Sequence, residues 1–477
     1  MKRVLLPLLA FLGVACIAAA IAIPTYLVPK LKVVPLDLDI TSNASTVPGQ
    51  GQTGDRFPAR IFDRCSVTKR KAAVLDANIT QQRRSVIVDP SDEDQATLQS
   101  AQTLRIDRVR DEDGKERDLT MSTDGDPKCD DALLNATVDR VSVDRSTSVP
   151  NGNVSSLQLE AVPEGGNVED ASVKLEDRKG FQYKFGFDVK KRDYYYYDST
   201  TRQDSPAKFV EEKEVGGVKT YHFVADVPET DLSNLPSPTG DAPLGTILNM
   251  PARWWGISGR GVKSRDMIQM HRYGSAKRHV YVEPTTGTIV SGYEEQHQYF
   301  RSPDDSEDSP AAIRDFRMDA LKATFQWTDE TVANQADRAK GYKSQLFWGG
   351  TVTPIILGIL GALLLIGWAV ITWFGRRGDA DDGQDPDDAQ GPDDGPYGDG
   401  PYDGDPYNGG PDARHDGFVA TPHEAPNDAY AYGNETTTSI PPQGSTDDTT
   451  VIPPVDGGSP LDDTDTSAFR PPNHRYE

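Results

Sequence analysis

The sequence predicts a mostly-β protein, a curved antiparallel sheet or an elongated β-barrel with a few helices, flanked by N- and C-terminal transmembrane helices. Three observations predict it. Two long segments, 4–28 and 350–374, are apolar and carry no charge. Between them the chain runs in β-branched, often alternating stretches bounded by Gly, Pro, Asp or Asn. Helical periodicity is sparse until residue 309.

The first segment, "MKRVLLPLLAFLGVACIAAAIAIPTYLVPKLK", places Lys2 and Arg3 before the apolar run. A run of roughly 25 residues crosses a hydrocarbon core of about 30 Å. A secretory signal has a shorter apolar region of about 7–15 residues. The stretch "ACIAAA" offers small residues for cleavage, but the apolar run continues past it, so residues 1–28 read as an uncleaved anchor. The second segment has Trp348 and Trp373 at its ends, as interfacial aromatics stand, and Arg376 and Arg377 follow. Basic residues beside spans mark the cytoplasmic side. Both termini are then cytoplasmic, the protein lies in the plasma membrane, and residues 29–349 are extracytoplasmic. Cys65 and Cys129 both fall in that external region, where an oxidising compartment lets them pair across a loop of about 64 residues. Two buried free thiols are the alternative.

Within the external region, "RKAAVLDANITQQRRSVIVDP", "RIDRVRDEDGKERDLTMSTD", "KGFQYKFGFDVKKRDYYYYDS" and "GVKTYHFVADVP" read as strands, with "DEDGKE" as a turn. "PKCDDALLNATVD" is a short helix candidate beside Cys129. The β domain is placed at 29–308. From Ser309 the pattern turns helical: Ser309 is a candidate N-cap, Pro310 the first helical residue, and Ile313, Phe316, Ala320 and Leu321 share a face. A second helix starts at Thr328 and is polar almost all round, so 309–349 reads as a helical stalk leading to the span at 350–375.

The chain carries a net charge of −24, and residues 376–477 hold 23 acidic residues against five arginines. The acidity therefore belongs to a cytoplasmic tail that is disordered by composition. No basic patch suggests nucleic-acid binding. The tail repeats "PYGDG", "PYDGD" and "PYNGG", and it sets Thr436, Thr437, Thr438, Thr449 and Thr450 beside acids and before aliphatic–proline steps. Those threonines are phosphorylation candidates for a cytoplasmic Ser/Thr kinase, and phosphate there would suit a phosphothreonine-binding module.

No G-x-S-x-G, H-E-x-x-H, P-loop or dinucleotide fingerprint occurs. The segment "YVEPTTGTIVSGYEEQHQYF" is the strongest candidate for chemistry. It holds Glu283, Glu294, Glu295 and His297, with His271 and His279 upstream. As a hairpin turning at "EPTTG", it puts His279, Tyr281 and Glu283 on one face of one strand and Tyr293, Glu295, His297 and Tyr299 on one face of the other. Such residues also dress an ordinary solvated sheet face, and that reading is preferred. No metal, cofactor or catalytic residue is assigned. Tyr195 and Tyr197 of "DYYYYD", and Trp254 and Trp255 of "ARWWGISGRG", are candidates to line a lipid or glycan cavity, since such rings join an apolar body to a polar tip.

"FGFDVKKRDYYYYD", "YVEPTTGTIVSG" and the helices before the last span resemble the actinobacterial porin PorA-like family, also catalogued as a domain of unknown function. The resemblance covers roughly residues 1–375. It implies a cell-envelope protein linked to lipomannan and lipoarabinomannan synthesis. It also implies an external elongated β-barrel with internal cavities, a projecting helix, a disulfide and lipid binding, and it transfers no catalytic residue. The function expected is therefore non-enzymatic: binding a lipid or lipid-linked glycan in support of lipoglycan assembly. The alternatives are a scaffold that recruits envelope glycosyltransferases and, less favoured, an oligomeric channel. Two single helices enclose no aqueous pore unless several copies assemble, and no transmembrane β pattern is evident.

Overall fold

A computed structural model describes residues 2–49, 56–122, 128–159, 162 and 166–378. Fifteen strands form one antiparallel sheet. They are β1 (Asp39–Val47), β2 (Ala59–Phe62), β3 (Val74–Val88), β4 (Gln95–Arg110), β5 (Glu116–Asp118), β6 (Leu133–Asp144), β7 (Pro150–Gln158) and β8 (Ser172–Lys174). The rest are β9 (Tyr194–Asp198), β10 (Gln203–Val215), β11 (Val218–Asp231), β12 (Ile247–Pro251), β13 (Met267–Val282), β14 (Ile289–Arg301) and β15 (Met318–Trp327). The order is β8-β7-β6-β4-β3-β1-β15-β14-β13-β11-β10-β9, with β2, β5 and β12 paired alongside. Hairpins join β3–β4, β6–β7, β9–β10, β10–β11 and β13–β14, as antiparallel pairing permits. The pairs β1–β3, β4–β6 and β11–β13 are linked through β2, β5 and β12, and the β1–β15 pair brings the two ends of the domain together at the centre of the sheet.

The long strands are those whose alternation is cleanest. Leu75, Ala77 and Ile79 of β3 point into one apolar cluster with Leu104, Ile106, Leu321, Ala323 and Phe325. Two predicted helices are absent. The "DALLNATVD" stretch enters β6, which pairs with β4 along nearly its whole length. After a single turn, α4 (Ala311–Arg314), capped at Pro310, the chain becomes β15. Ala320 and Leu321 are thus buried in a strand bonded to β14, β1 and β2. The β domain therefore extends through Trp327.

Between β8 and β9 lies an irregular strap, residues 175–193. Its alternating aromatics read as a strand, but only Tyr194–Asp198 at its end is one. The strap bridges the two end strands of the sheet. Leu175 N–H donates to Ser155 of β7, Phe181 N–H to Tyr195 of β9, and Tyr197 N–H returns to Phe181. Further on, Phe185, Asp188 and Val189 donate to the carbonyls of Gly287, Thr285 and Pro284. The approach is close. A Cβ on Gly180 would stand 2.4 Å from the Tyr197 amide nitrogen, and one on Gly186 would stand 2.6 Å from the Thr147 carbonyl oxygen. The strap fills the space between two apolar clusters. Phe181 and Phe185 join Phe223, Ala225 and Val280 on one side. Tyr183 packs against Val34, Leu98, Val141 and Val143 on the other.

The two apolar helices are long enough to cross a membrane. The first is α1 (Lys2–Ala22), a π-helical turn and α2 (Val28–Leu31). The second continues from α5 (Asp329–Phe347) through a π-helical turn into α6 (Thr353–Gly378). The two helices pack on each other through small residues, which let their backbones approach closely. A Cβ on Gly361 would meet the Gly13 carbonyl at 2.8 Å and Ile17 at the same distance. Helix α5 is capped by Thr328 as expected, but it is no free stalk. Its Ala336 and Ala339 pack on Val218 and Val290, and Gly216 leaves room for Ala336.

The disulfide forms between Cys65 and Cys129, tying the turn after β2 to the start of β6. Arg64 reinforces the same junction by donating to the carbonyls of Asp131 and Leu133 at 2.6 and 2.9 Å. Replacing both cysteines by serine is expected to cost about 2–5 kcal/mol, given the long loop closed. Thermal melts of the full-length protein in detergent, with and without reductant, check this. Identical melts for the parent and the Cys65→Ser/Cys129→Ser variant would contradict it.

Candidate functional site

The predicted hairpin exists: β13 and β14 pair from His271–Arg301 to Val282–Ile289, turning through residues 283–288. Its faces fall as the pleat requires, with His279 opposite Tyr293 and Lys277 opposite Glu295. The ionisable residues nevertheless go to separate places. His271 Nδ1 lies 2.8 Å from Asp231 and 2.9 Å from Ser233 Oγ. His297 Nε2 bonds Asp319 at 2.9 Å, and this bond holds the Asp319 carboxyl below its ordinary range. Glu294 is buried on the opposite face, paired with Arg278 and accepting from Gln81 at 3.2 Å. Arg278 also bonds Asp198 through Nε at 2.6 Å. Among the described residues, no three His, Cys, Asp or Glu side chains gather to hold a metal ion.

His279 finds a partner that the sequence did not suggest. Its Nδ1 lies 3.0 Å from Nε2 of His222 on β11. Tyr281 stacks on His222 and Tyr293 stacks on His279, so four rings form one row. Glu211 lies 3.5 Å from His222 Nδ1 and favours a proton there. His279 then donates from Nδ1 to His222, and its buried Nε2 is a bare acceptor without a partner among the described residues. Burial, with His222 and Lys277 adding to it, pushes the His279 imidazole down to about 4. Burial likewise lowers His222. Both rings are neutral at physiological pH.

Glu283 lies at the turn and is fully buried. Its Oε2 accepts from the amide and hydroxyl of Thr286 at 2.7 and 2.8 Å, while Oε1 has no partner among the described residues. Lys184 of the strap sits nearby, 8% exposed, donating to the carbonyls of Phe185 and Thr286 at 2.9 and 2.7 Å. Burial pushes its ammonium down to about 7, against the pull of Glu283. Deeper in the strap, Arg178 makes a bidentate pair with Asp139 of β6 at 2.8 Å for both bonds. Tyr183 donates its hydroxyl to the same carboxylate. Arg178 also lies 4.0 Å above the Tyr197 ring. Nothing in local sequence pattern links residues 139 and 178. The doublet of glycines at 180 and 186 around alternating aromatics was the available sign of a tightly wedged segment.

The four cavity candidates do not converge. Tyr195 is 53% exposed, whereas Tyr197 is buried with Leu157, Val173 and Leu175. Trp254 and Trp255 lie on a helical turn, α3 (Ala252–Trp255), and not on a strand. Both are buried, with indole N–H groups donating to the carbonyls of Ser66 and Ile268 at 3.0 and 3.2 Å. They pack a core. A cavity of about 20 Å³, room for about one water, lies beside the strap. Thr436, Thr437, Thr438, Thr449 and Thr450 lie outside the described residues.

The depressed His279 has a thermodynamic consequence. Below pH 6.5 the unfolded chain takes up a proton that the folded ring refuses until about pH 4. Its contribution to stability is therefore complete above that window and falls as pH drops through it. In detergent melts spanning the window, His279→Gln should flatten the loss of stability. A pH profile parallel to that of the parent would contradict this assignment.

Comparison with known proteins accords with this architecture. A family model described as Porin PorA matches residues 6–370. A Porin PorA from Corynebacterium amycolatum is 33% identical over 407 residues, covering 78% of this chain and 99% of the relative. A Porin PorA from Corynebacterium resistens is 30% identical over 427 residues, covering 80% of this chain and 98% of the relative. A sheet set between two paired apolar helices, matched along nearly all of that length, places the chain in the Porin PorA family.

Proposed function

We propose that this chain is a non-enzymatic, plasma-membrane-anchored envelope protein whose β domain binds a lipid or lipid-linked glycan and supports lipomannan and lipoarabinomannan assembly. Both termini are cytoplasmic in this reading, and the β domain stands outside. The basic residues at 2–3 and 376–377 support that orientation. The Cys65–Cys129 bond suits an oxidising exterior.

The observation that carries the lipid reading is the strap. Two apolar walls face the interior, and an irregular segment separates them in place of a regular strand. Irregular backbone inside a sheet is replaceable at less cost than a ladder strand, because fewer main-chain bonds are broken. The same end of the domain lies beside the first span: Lys32 pairs with Asp188 of the strap at 2.7 Å. Lipid leaving the outer leaflet would meet that end first.

The filled interior favours one second reading, a scaffold whose outer surface recruits envelope glycosyltransferases without binding lipid. A channel is less well supported. The cavity beside the strap is about 20 Å³ and offers no conducting path, so one would have to be assembled from the spans of several copies. Phosphorylation of the tail threonines would couple either reading to a cytoplasmic kinase.

Native mass spectrometry of the full-length protein, released from its host's membranes in mild detergent, should show a bound lipid or mannolipid. Protein that arrives empty and takes up neither phospholipid nor mannolipid on addition would contradict lipid binding. Pull-down of glycosyltransferases by that empty protein would favour the scaffold. Unitary conductance in planar bilayers would favour the channel.

A further inference from the structure

One flank of the strap differs in character from the other. Toward Phe223 and Val280 the strap's aromatics are packed ring on ring. Toward β4 and β6 a gap of about 20 Å³ remains, with Val34, Leu98 and Val141 on its apolar wall. Ser148, Arg178 and Lys184 supply its polar side. Their hydrogen-bonding capacity is not used up. Ser148 Oγ and Arg178 Nε are buried with no partner among the described residues, and Arg178 is 6% exposed. Lys184 Nζ has two acceptors for its three protons. An apolar wall, two buried cations and a spare hydroxyl therefore meet at one seam.

The seam can widen on one side only. Leu98 and Val141 of the wall belong to β4 and β6, where they face each other in the ladder that joins the two strands. Opposite it, no main-chain bond ties residues 182–184 of the strap to a strand among the described residues. The position is also suggestive. Val34 stands three residues beyond the end of α2, its amide bonded to the Arg145 carbonyl at 2.8 Å.

We propose that this seam is the binding site of an anionic amphiphile, a lipid bearing a carboxylate or phosphate head on an acyl chain. The chain lies along Val34, Leu98 and Val141 in place of the Tyr183 ring, whose hydroxyl gives up Asp139, while Lys184 keeps its place beside Phe185, which stays bonded to Gly287. The head is received by the Lys184 ammonium, with Ser148 and Arg178 Nε as further donors. Lys184 is the main contact because Asp139 already holds both terminal nitrogens of Arg178. Glu283 faces the seam's lysine from the turn and offsets part of its charge in the empty protein. This assignment rests on the lipid-binding reading above and names the head chemistry and the wall that it uses.

The test uses the full-length protein in non-ionic detergent with three fluorescent probes of matched chain: parinaric acid, a parinaroyl phosphatidylglycerol and the neutral parinaroyl alcohol. The parent should bind one or both anionic probes more tightly than the alcohol. Preference between the two distinguishes a free fatty acid from a phospholipid as the source of the anion. Lys184→Gln should weaken the anionic probes by about tenfold or more, the size of one lost charge-assisted hydrogen bond, with little change for the alcohol. Lys184→Arg should restore anionic binding, which a merely misfolded site would not do. Val141→Phe, which fills the seam, should weaken all three probes. Unchanged anionic affinity in Lys184→Gln, or unchanged binding in Val141→Phe, overturns the assignment while leaving lipid binding intact. If no probe binds the parent, the lipid reading itself falls.

Discussion

The pair between Arg178 and Asp139 is the contact that fixes the strap to the sheet. Both groups are almost fully buried. A charge in that environment is tolerated only when its partner and its remaining hydrogen bonds are supplied. Asp139 receives the two guanidinium bonds and the Tyr183 hydroxyl. Arg178 has Gln182 as a further acceptor and the face of Tyr197 above it. Removing either partner would strand the other, a loss of about 3–5 kcal/mol in comparable buried pairs. The consequence is positional. With Arg178 pinned to β6, the strap must cross from β8 to β9, and the end strands meet through it.

That crossing explains what occupies the inside. A sheet of this size needs its concave face filled, and here the filling comes from the chain itself. Phe181 and Phe185 serve one wall and Tyr183 the other, so the segment does the work of two facing strands with few ladder bonds of its own. Gly287 is needed at the turn beneath it: its φ is +71°, and a Cβ there would run into the Phe185 carbonyl. The two apolar helices complete the arrangement. They pair through Gly13 and Gly361, and α5 is laid along β1, β11 and β14, so both apolar helices leave the same domain as a pair.

The sequence made the regular parts legible. Alternation marks β3, β4, β11 and the β13–β14 hairpin, because each has one buried face and a period of two. The cap at Thr328 and both long apolar helices were equally readable. The failures share a cause. In "DFRMDALKATFQW" the apolar positions satisfy a helical stripe and a strand face at once. Bonding to three neighbouring strands decides between them, and no local pattern reveals neighbours brought from residue 44 or residue 61. The strap was misread for the converse reason. Its alternation is that of a strand, but Gly180 and Gly186 bring its backbone against other backbone, where no ladder partner fits. At the candidate site, the faces of the hairpin were legible, but the His222–His279 contact and the Lys184–Glu283 neighbourhood were not. Both join residues far apart in sequence through strand order alone.

If the strap is a separable occupant of the sheet, its stability must be lower than that of the ladders around it. Native-state hydrogen exchange on the full-length protein in detergent measures this directly. The amides of Phe181, Phe185 and Val189 should exchange through a partial opening of lower free energy than the amides of β13 and β14. Exchange of the strap only together with β13 and β14, at the free energy of global unfolding, would show it to be a fixed part of the core and would contradict the account.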